Sequence, residues 1–337
     1  MNANATKAGA IALQNGYANG ARSIAYANGT TTNNATGAIA GGSENTIANG
    51  VWSHAENDSV ATGNYSHAEG YATRAIGLWS HSEGKLTIAN GDCSHAEGQK
   101  TTANANYAHS EGTDSIANAY GSHAEGSGTY ANALASHVEG RETSAIGNYS
   151  HAEGYASIAN EYYSHAEGRG TYANALASHA EGKETSAIGS YSHAEGISSI
   201  ASALYSHAEG IGTYAAGQAS HAEGSNTSAI GKYSYSNGRD CIASADCSYI
   251  WNGNATSSPK INDIAGTYSI YPVNALSGFY VGDKNMATIF NERILRPIYA
   301  AISGIKAADT GGYETISVDV YCKALYNLTK TLSSRIW

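Results

Sequence analysis

A chain of 337 residues with 14% charged residues, two Phe and two Met has little material for bulky globular cores, although length alone would suggest two or three domains. Its formal charge of −10 disfavours nonspecific nucleic-acid binding and favours solubility, while 25 Tyr argue against a disordered low-complexity chain. No apolar run approaches the roughly 20 residues of a membrane helix, so membrane insertion is not expected.

At the start, residues 1–10 read MNANATKAGA, with one Lys and no apolar run of signal-peptide length, so no export signal is expected there. A repeat then dominates. All thirteen histidines lie in one motif, mostly SHAEG, beginning at His54. After one step of 13 to His67, every step to His221 is 14. An alanine sits eight residues after each of the last twelve, from Ala75 to Ala229, and both landmarks persist as Tyr235 and Ala243. A longer period is superimposed, because TYANALASHVEGRETSAIGNYSHAEG from Thr129 returns almost unchanged 42 residues later, from Thr171.

Fourteen residues cannot hold a pair of helices, but they can hold two short strands and two tight turns. In Ser150-His151-Ala152-Glu153-Gly154 small residues alternate with large polar ones, which is the period of a strand. Gly154 and the Gly147-Asn148 step supply turn chemistry at the two corners. The reading is therefore an all-β parallel β-roll solenoid with rungs of about 14 residues, stacked about 4.8 Å apart. From Ile11 to Gly253 this gives about 17 or 18 rungs and a rod of roughly 80 Å.

Facing follows from desolvation. An interior of Ser, Ala and Gly suits two closely spaced sheets, whereas a glutamate buried in every rung would be costly, so His and Glu point outward. On the other strand one apolar or aromatic residue usually flanks the inward Ala. It follows the Ala at Ile76, Ile146, Ile188 and Ile230, and precedes it at Ile88, Ile116, Tyr130, Ile158, Tyr172, Ile200 and Tyr214. Such a stripe on a thin roll marks an interface, and three stripes meeting on a threefold axis would bury it. A homotrimer is the expected assembly.

The run SAIGNYSHAEG, Ser144 to Gly154, resembles the head repeat of trimeric autotransporter adhesins, approximately V-A-I-G-x-x-S-x-A-x-G. Ala145, Ile146, Gly147, Ser150, Ala152 and Gly154 match its fixed positions, while His151 and Glu153 occupy variable ones. The resemblance covers about residues 10–257. It implies a left-handed parallel β-roll assembled as a trimer, in a repeat also found in phage tail and head fibres. The missing export signal and membrane-anchoring strands favour a phage fibre, a virion protein, over a bacterial cell-surface adhesin.

Beyond residue 257 the composition changes. Residues 258–312 carry nonrepeated Pro, Phe, Tyr, Asp, Lys and Arg and read as a junction or attachment domain, with Pro297 interrupting any helix before it. In 313–337 the spacing of Val318, Tyr321, Leu325, Leu328 and Leu332 suits a short helix, either in a trimeric coiled coil or folded back on its own domain. Specific attachment, to a bacterial surface receptor or to other virion or fibre proteins, is expected in this C-terminal part.

The His/Glu columns contain metal-ligand types, but a pattern repeated thirteen times lacks the closed convergence of a zinc site, so a surface ladder without metal or cofactor is expected. Protonated histidines would offset the repulsion within the glutamate column. No singular catalytic constellation stands out, so the chain is read as no enzyme; Asp283 and Glu292 are the acids to inspect if it were one. Trp52, Trp79 and Trp251 are candidate glycan contacts. Cys93, Cys241, Cys247 and Cys322 fit neither a disulfide framework nor a CxxC site and read as ordinary thiols, with a Cys241–Cys247 bridge as the alternative.

Overall fold

Each rung closes because three of its residues adopt left-handed backbone. In the computed structural model, which describes residues 3–253, 259–271, 280–281 and 284–285, these are Tyr149 (φ 58), Gly154 (φ 97) and Ala156 (φ 54) for one rung. Between them run the strands His151–Tyr155 and Ile158–Ala159. Their amides bond forward to the next rung, His151 N–H to Ser164 O at 3.0 Å and Ile158 N–H to Thr171 O at 2.9 Å. The left-handed Ala156 instead donates backward, to Arg141 O at 2.9 Å. Each rung is thereby tied to both neighbours, which offsets the cost of holding non-glycine residues at positive φ.

The pairing is parallel and in register, His151 against His165, Ala152 against Ala166 and Ile158 against Tyr172. It links 36 strands, two to a rung, into a continuous solenoid of about 18 turns. At one strand spacing per turn the rod is about 85 Å long.

The interior is a file of alanines and hydroxyls. Ala152 and Ala159 have no exposed surface, and Ser157 and the threonines that share its column are buried with it. The hydroxyls satisfy turn carbonyls that strand pairing leaves over. Ser150 Oγ donates to Gly147 O at 2.6 Å, Ser157 Oγ to Gly168 O at 3.1 Å and Thr143 Oγ1 to Glu139 O at 3.0 Å. Among the described residues Val138 and Ile250 are the bulkiest fully buried side chains, and both stand in the column otherwise held by Ala or Ser.

Three details differ from the sequence reading. At the second corner the left-handed residue is Tyr149, not Gly147 or Asn148. Gly147 is needed for close approach, since a Cβ there would lie 2.0 Å from the Glu161 carbonyl oxygen. The 13-residue step from His54 to His67 omits the left-handed corner residue that the following rung supplies as Ala72 (φ 56), and the register shifts between Asp58 and Val60. The roll also runs past residue 257, because Lys260–Asn262 pairs with Cys241–Ala243 and Tyr268–Tyr271 joins the same sheet.

Cys241 is buried within the roll and Cys247 is exposed; both are free thiols, as is Cys93, so the Cys241–Cys247 bridge does not form. The compact unit of the roll is Met1–Ile270, and a second unit covers Tyr271–Trp337. The described part of the second is Tyr271 and the antiparallel pair Tyr280–Val281 and Lys284–Asn285. The expected C-terminal helix, Pro297, Asp283, Glu292 and Cys322 lie outside the described residues.

Candidate functional site, a ladder of histidine and glutamate

Since the strand period is two, His151 and Glu153 leave the same face of the roll while Ala152 between them points inward. In-register stacking turns each position into a column. The thirteen imidazoles lie flat on one another, with successive ring centroids 4.5 to 4.9 Å apart. For His137 and His151 the planes differ by 1°. Beside this column runs the glutamate column from Glu56 to Glu223, and Glu83, Glu97, Glu111 and Glu125 line a shallow groove floored by glycines. In rung 235–239 the columns continue as Tyr235 and Asn237, with the Tyr235 hydroxyl bonded to Glu223.

The two columns perturb each other's protons. Partial burial, then the neighbouring imidazoles, lowers the pKa of His67, His95, His123, His151 and His207, and brings His179 down to about 4. Within the glutamate column a hydrogen bond that the Glu111 carboxyl donates to Glu97, followed by burial and Glu125, pushes Glu111 up to about 7; Glu153 is raised likewise by its bond to Glu139. At those six histidines the shifts favour the neutral imidazole, and Glu111 and Glu153 hold protons toward Glu97 and Glu139, which runs against the offset by protonated histidines expected from the sequence.

Within a rung the gap between the columns is longer than a hydrogen bond, with His Nε2 to Glu oxygen 3.7 Å at His151–Glu153 and 3.6 Å at His193–Glu195. His54–Glu56, in the first such rung, closes to 3.2 Å. The ligand atoms of His123, Glu125 and His137 lie within 4.8 Å of one another, and so do those of His165, Glu167 and His179. The ladder offers a periodic row of identical N and O atoms rather than a pocket with a singular nucleophile and base.

On the opposite strand the apolar stripe is partly exposed, with Ile76, Ile88, Ile116, Ile158 and Ile200 half-buried. Tyr130, Tyr172 and Tyr214 keep about 40% of their surface, and Ile146, Ile188 and Ile230 between 46 and 48%. The residue preceding Ala cycles as Tyr130, Ser144, Ile158, Tyr172, Ser186 and Ile200, so every serine has a tyrosine on one side and an isoleucine on the other. Where isoleucine does not follow the Ala, asparagine often does, and Asn90, Asn104 and Asn118 each donate a side-chain amide to the next asparagine along the axis, ending at Asn132 Oδ1, at 2.6 to 2.7 Å.

A second aromatic column is absent from the sequence reading. Trp52, Tyr65, Trp79, Tyr107, Tyr149, Tyr163, Tyr191, Tyr205 and Tyr233 all hold the left-handed corner position, and all are exposed. Tyr149 stacks on Tyr163 with centroids 5.3 Å apart. The signal was available in the recurrence of Tyr or Trp directly before the Ser of SHAEG. Trp52 and Trp79 belong to this column, whereas Trp251 is half-buried beside Asn237 in the continuation of the glutamate column. Elsewhere on the surface, Arg141 and Arg169 sandwich the Tyr155 ring from adjacent rungs, 5.7 and 5.9 Å from its centroid.

Among the described residues no helix is long and apolar enough to cross a membrane. Comparison of the chain with protein-family models and with curated proteins returns no match.

Proposed function

We propose that the chain is a non-catalytic structural and attachment subunit of a bacteriophage fibre, a left-handed β-roll that acts as a homotrimer and spaces or displays a host-binding element. The observation that carries this reading is the Ile/Tyr stripe, which recurs in most rungs along one strand of a rod whose own interior is mainly alanine and hydroxyl. An apolar stripe of that length on a thin solenoid calls for a partner of the same length and periodicity, and copies of the same chain supply one. The resemblance of SAIGNYSHAEG to the adhesin head repeat points the same way. A site on the roll is copied rung after rung, so unique recognition is assigned to the sequence-distinct C-terminal part, with the aromatic corner column as a repeated contact for glycans.

Light scattering on the purified full chain tests the assembly: three chains per particle at micromolar concentration support it, and a monomer mass overturns it. The same rod would serve a bacterial surface adhesin. Mass spectrometry of purified virions against surface-shaved cells decides, because the fibre reading requires the chain in the particle.

A further inference from the structure

Twelve of the thirteen histidines, all but His54, bury Nε2 completely and leave it without a hydrogen-bond partner. A buried polar atom left unmatched carries a desolvation cost, and a row of twelve is a systematic feature rather than a local fault. His54 shows that the gap can close, since its Nε2 meets Glu56 at 3.2 Å. On the later rungs the columns stand 3.6 to 4.0 Å apart, at His67–Glu69, His95–Glu97, His193–Glu195 and His221–Glu209. That is too long for a hydrogen bond. It is near the separation of two atoms that each lie about 2.0–2.1 Å from one tetrahedral ion.

We propose that the ladder binds divalent ions of the zinc class, each held by Nε2 atoms of two histidines on adjacent rungs and a carboxylate oxygen of the glutamate beside them. His165, Glu167 and His179 form one such set, and His193, Glu195 and His207 another, each with its ligand atoms within 4.8 Å of one another. Two imidazoles and one carboxylate are the ligand types that select zinc, nickel or copper over calcium or magnesium, which prefer oxygen alone. Three protein ligands leave the fourth position to water.

Stoichiometry follows from the stacking. Imidazoles 4.7 Å apart, such as His165 and His179, must tilt toward each other to share an ion, and each tilt draws a ring away from its other neighbour. Sites that share a histidine therefore exclude one another. Thirteen histidines taken in adjacent pairs hold at most about six ions per chain.

The test uses the full chain stripped with EDTA and then dialysed against zinc chloride, with cobalt chloride as a spectroscopic probe. Zinc bound at about six ions per chain, with tetrahedral visible bands for cobalt, is the expected result. The fold supplies its own control, because Tyr235 and Asn237 stand in register with His221 and Glu223. His151→Tyr, His179→Tyr and His207→Tyr, paired with Glu153→Asn, Glu181→Asn and Glu209→Asn, leave no adjacent histidines beyond His137. Seven consecutive histidines remain, from His54 to His137, so zinc should fall to about three ions per chain with the circular dichroism unchanged. If that variant does not fold, Glu153→Gln, Glu167→Gln, Glu181→Gln, Glu195→Gln and Glu209→Gln together should weaken zinc binding at the later rungs. Less than one zinc per parent chain, equal uptake of magnesium, or a stoichiometry indifferent to the variants each overturns the proposal.

Discussion

The carbonyl oxygen of Gly168 occupies the place where a β-carbon on Gly154 would go, 2.1 Å from it. Gly154 also has φ 97, outside the range that side chains accept without strain. The relationship repeats at the last residue of each SHAEG, so this glycine serves both the turn and the close stacking of turns. Gly154→Ala should cost about 3 kcal/mol or more, read as a fall in thermal midpoint, because neither the clash nor the φ can relax without spreading the rungs. Gly128→Ala is the contrast. Its φ is 66, but nothing lies within 4 Å of the added carbon, and Ala156 holds the same corner position in a later rung. It should cost about 1 kcal/mol. Equal effects at the two sites would show that backbone strain, not rung spacing, sets the glycine requirement.

The Ile/Tyr stripe supplies the second prediction. Ile146→Asp with Ile188→Asp puts two carboxylates, 42 residues apart, on the proposed seam. In a trimer this buries six charges without partners, and the assembly should lose several kcal/mol and dissociate at micromolar concentration. On a free face both residues are already almost half exposed, and the change would be nearly neutral. Sedimentation of the double variant beside the parent separates the two cases.

The rung itself is legible in the sequence because its information is periodic. Ser150, Ala152 and Ala159 are inward in every repeat, and strand alternation then fixes His151 and Glu153 as outward. The corner is less legible. Tyr149, Ala177, Ala219 and Cys247 share a left-handed φ without sharing a chemical type, so closure of the rung imposes that backbone and no residue preference announces it. Protonation in the ladder is not legible at all. It depends on Glu97 meeting Glu111 across a rung and on how deeply each imidazole is covered, neither of which is a property of the motif.

The aromatic corner gives a third prediction, on binding rather than stability. Tyr149 and Tyr163 are exposed and touch chiefly each other through their stacked rings. Tyr149→Ala and Tyr163→Ala should therefore shift stability by less than about 1 kcal/mol, the scale of one aromatic pair, and Ala177 shows that alanine is accepted at this position. If the column contacts host glycans, retention on host polysaccharide should fall with each further pair removed. Retention unchanged after loss of Tyr149, Tyr163, Tyr191 and Tyr205 would assign receptor contact elsewhere.

Acid should weaken the rod, measured with EDTA present so that bound ions play no part. His67, His95, His123, His151, His179, His207 and His221 have folded pKa values below the ordinary 6.5, with partial burial the first cause and His179 at about 4. The unfolded chain takes up these protons before the folded one does. Their stabilisation is therefore complete above pH 6.5 and is lost progressively as pH falls toward 4. Glu111 and Glu153 work in the opposite sense. Raised from 4.5 to about 7, they stabilise the folded state below pH 4.5, and that contribution is lost as pH rises through 7. Glu83 shifts the same way, while Glu97 shifts down. Between pH 6.5 and 4.5 the seven histidines outnumber the three raised glutamates, so the thermal midpoint should drop across that interval and the drop should flatten in a His151→Gln, His179→Gln, His207→Gln variant. A midpoint that instead rises between pH 6.5 and 5 would mean that the histidines charge in the folded rod and offset the glutamate column, the arrangement expected from sequence alone.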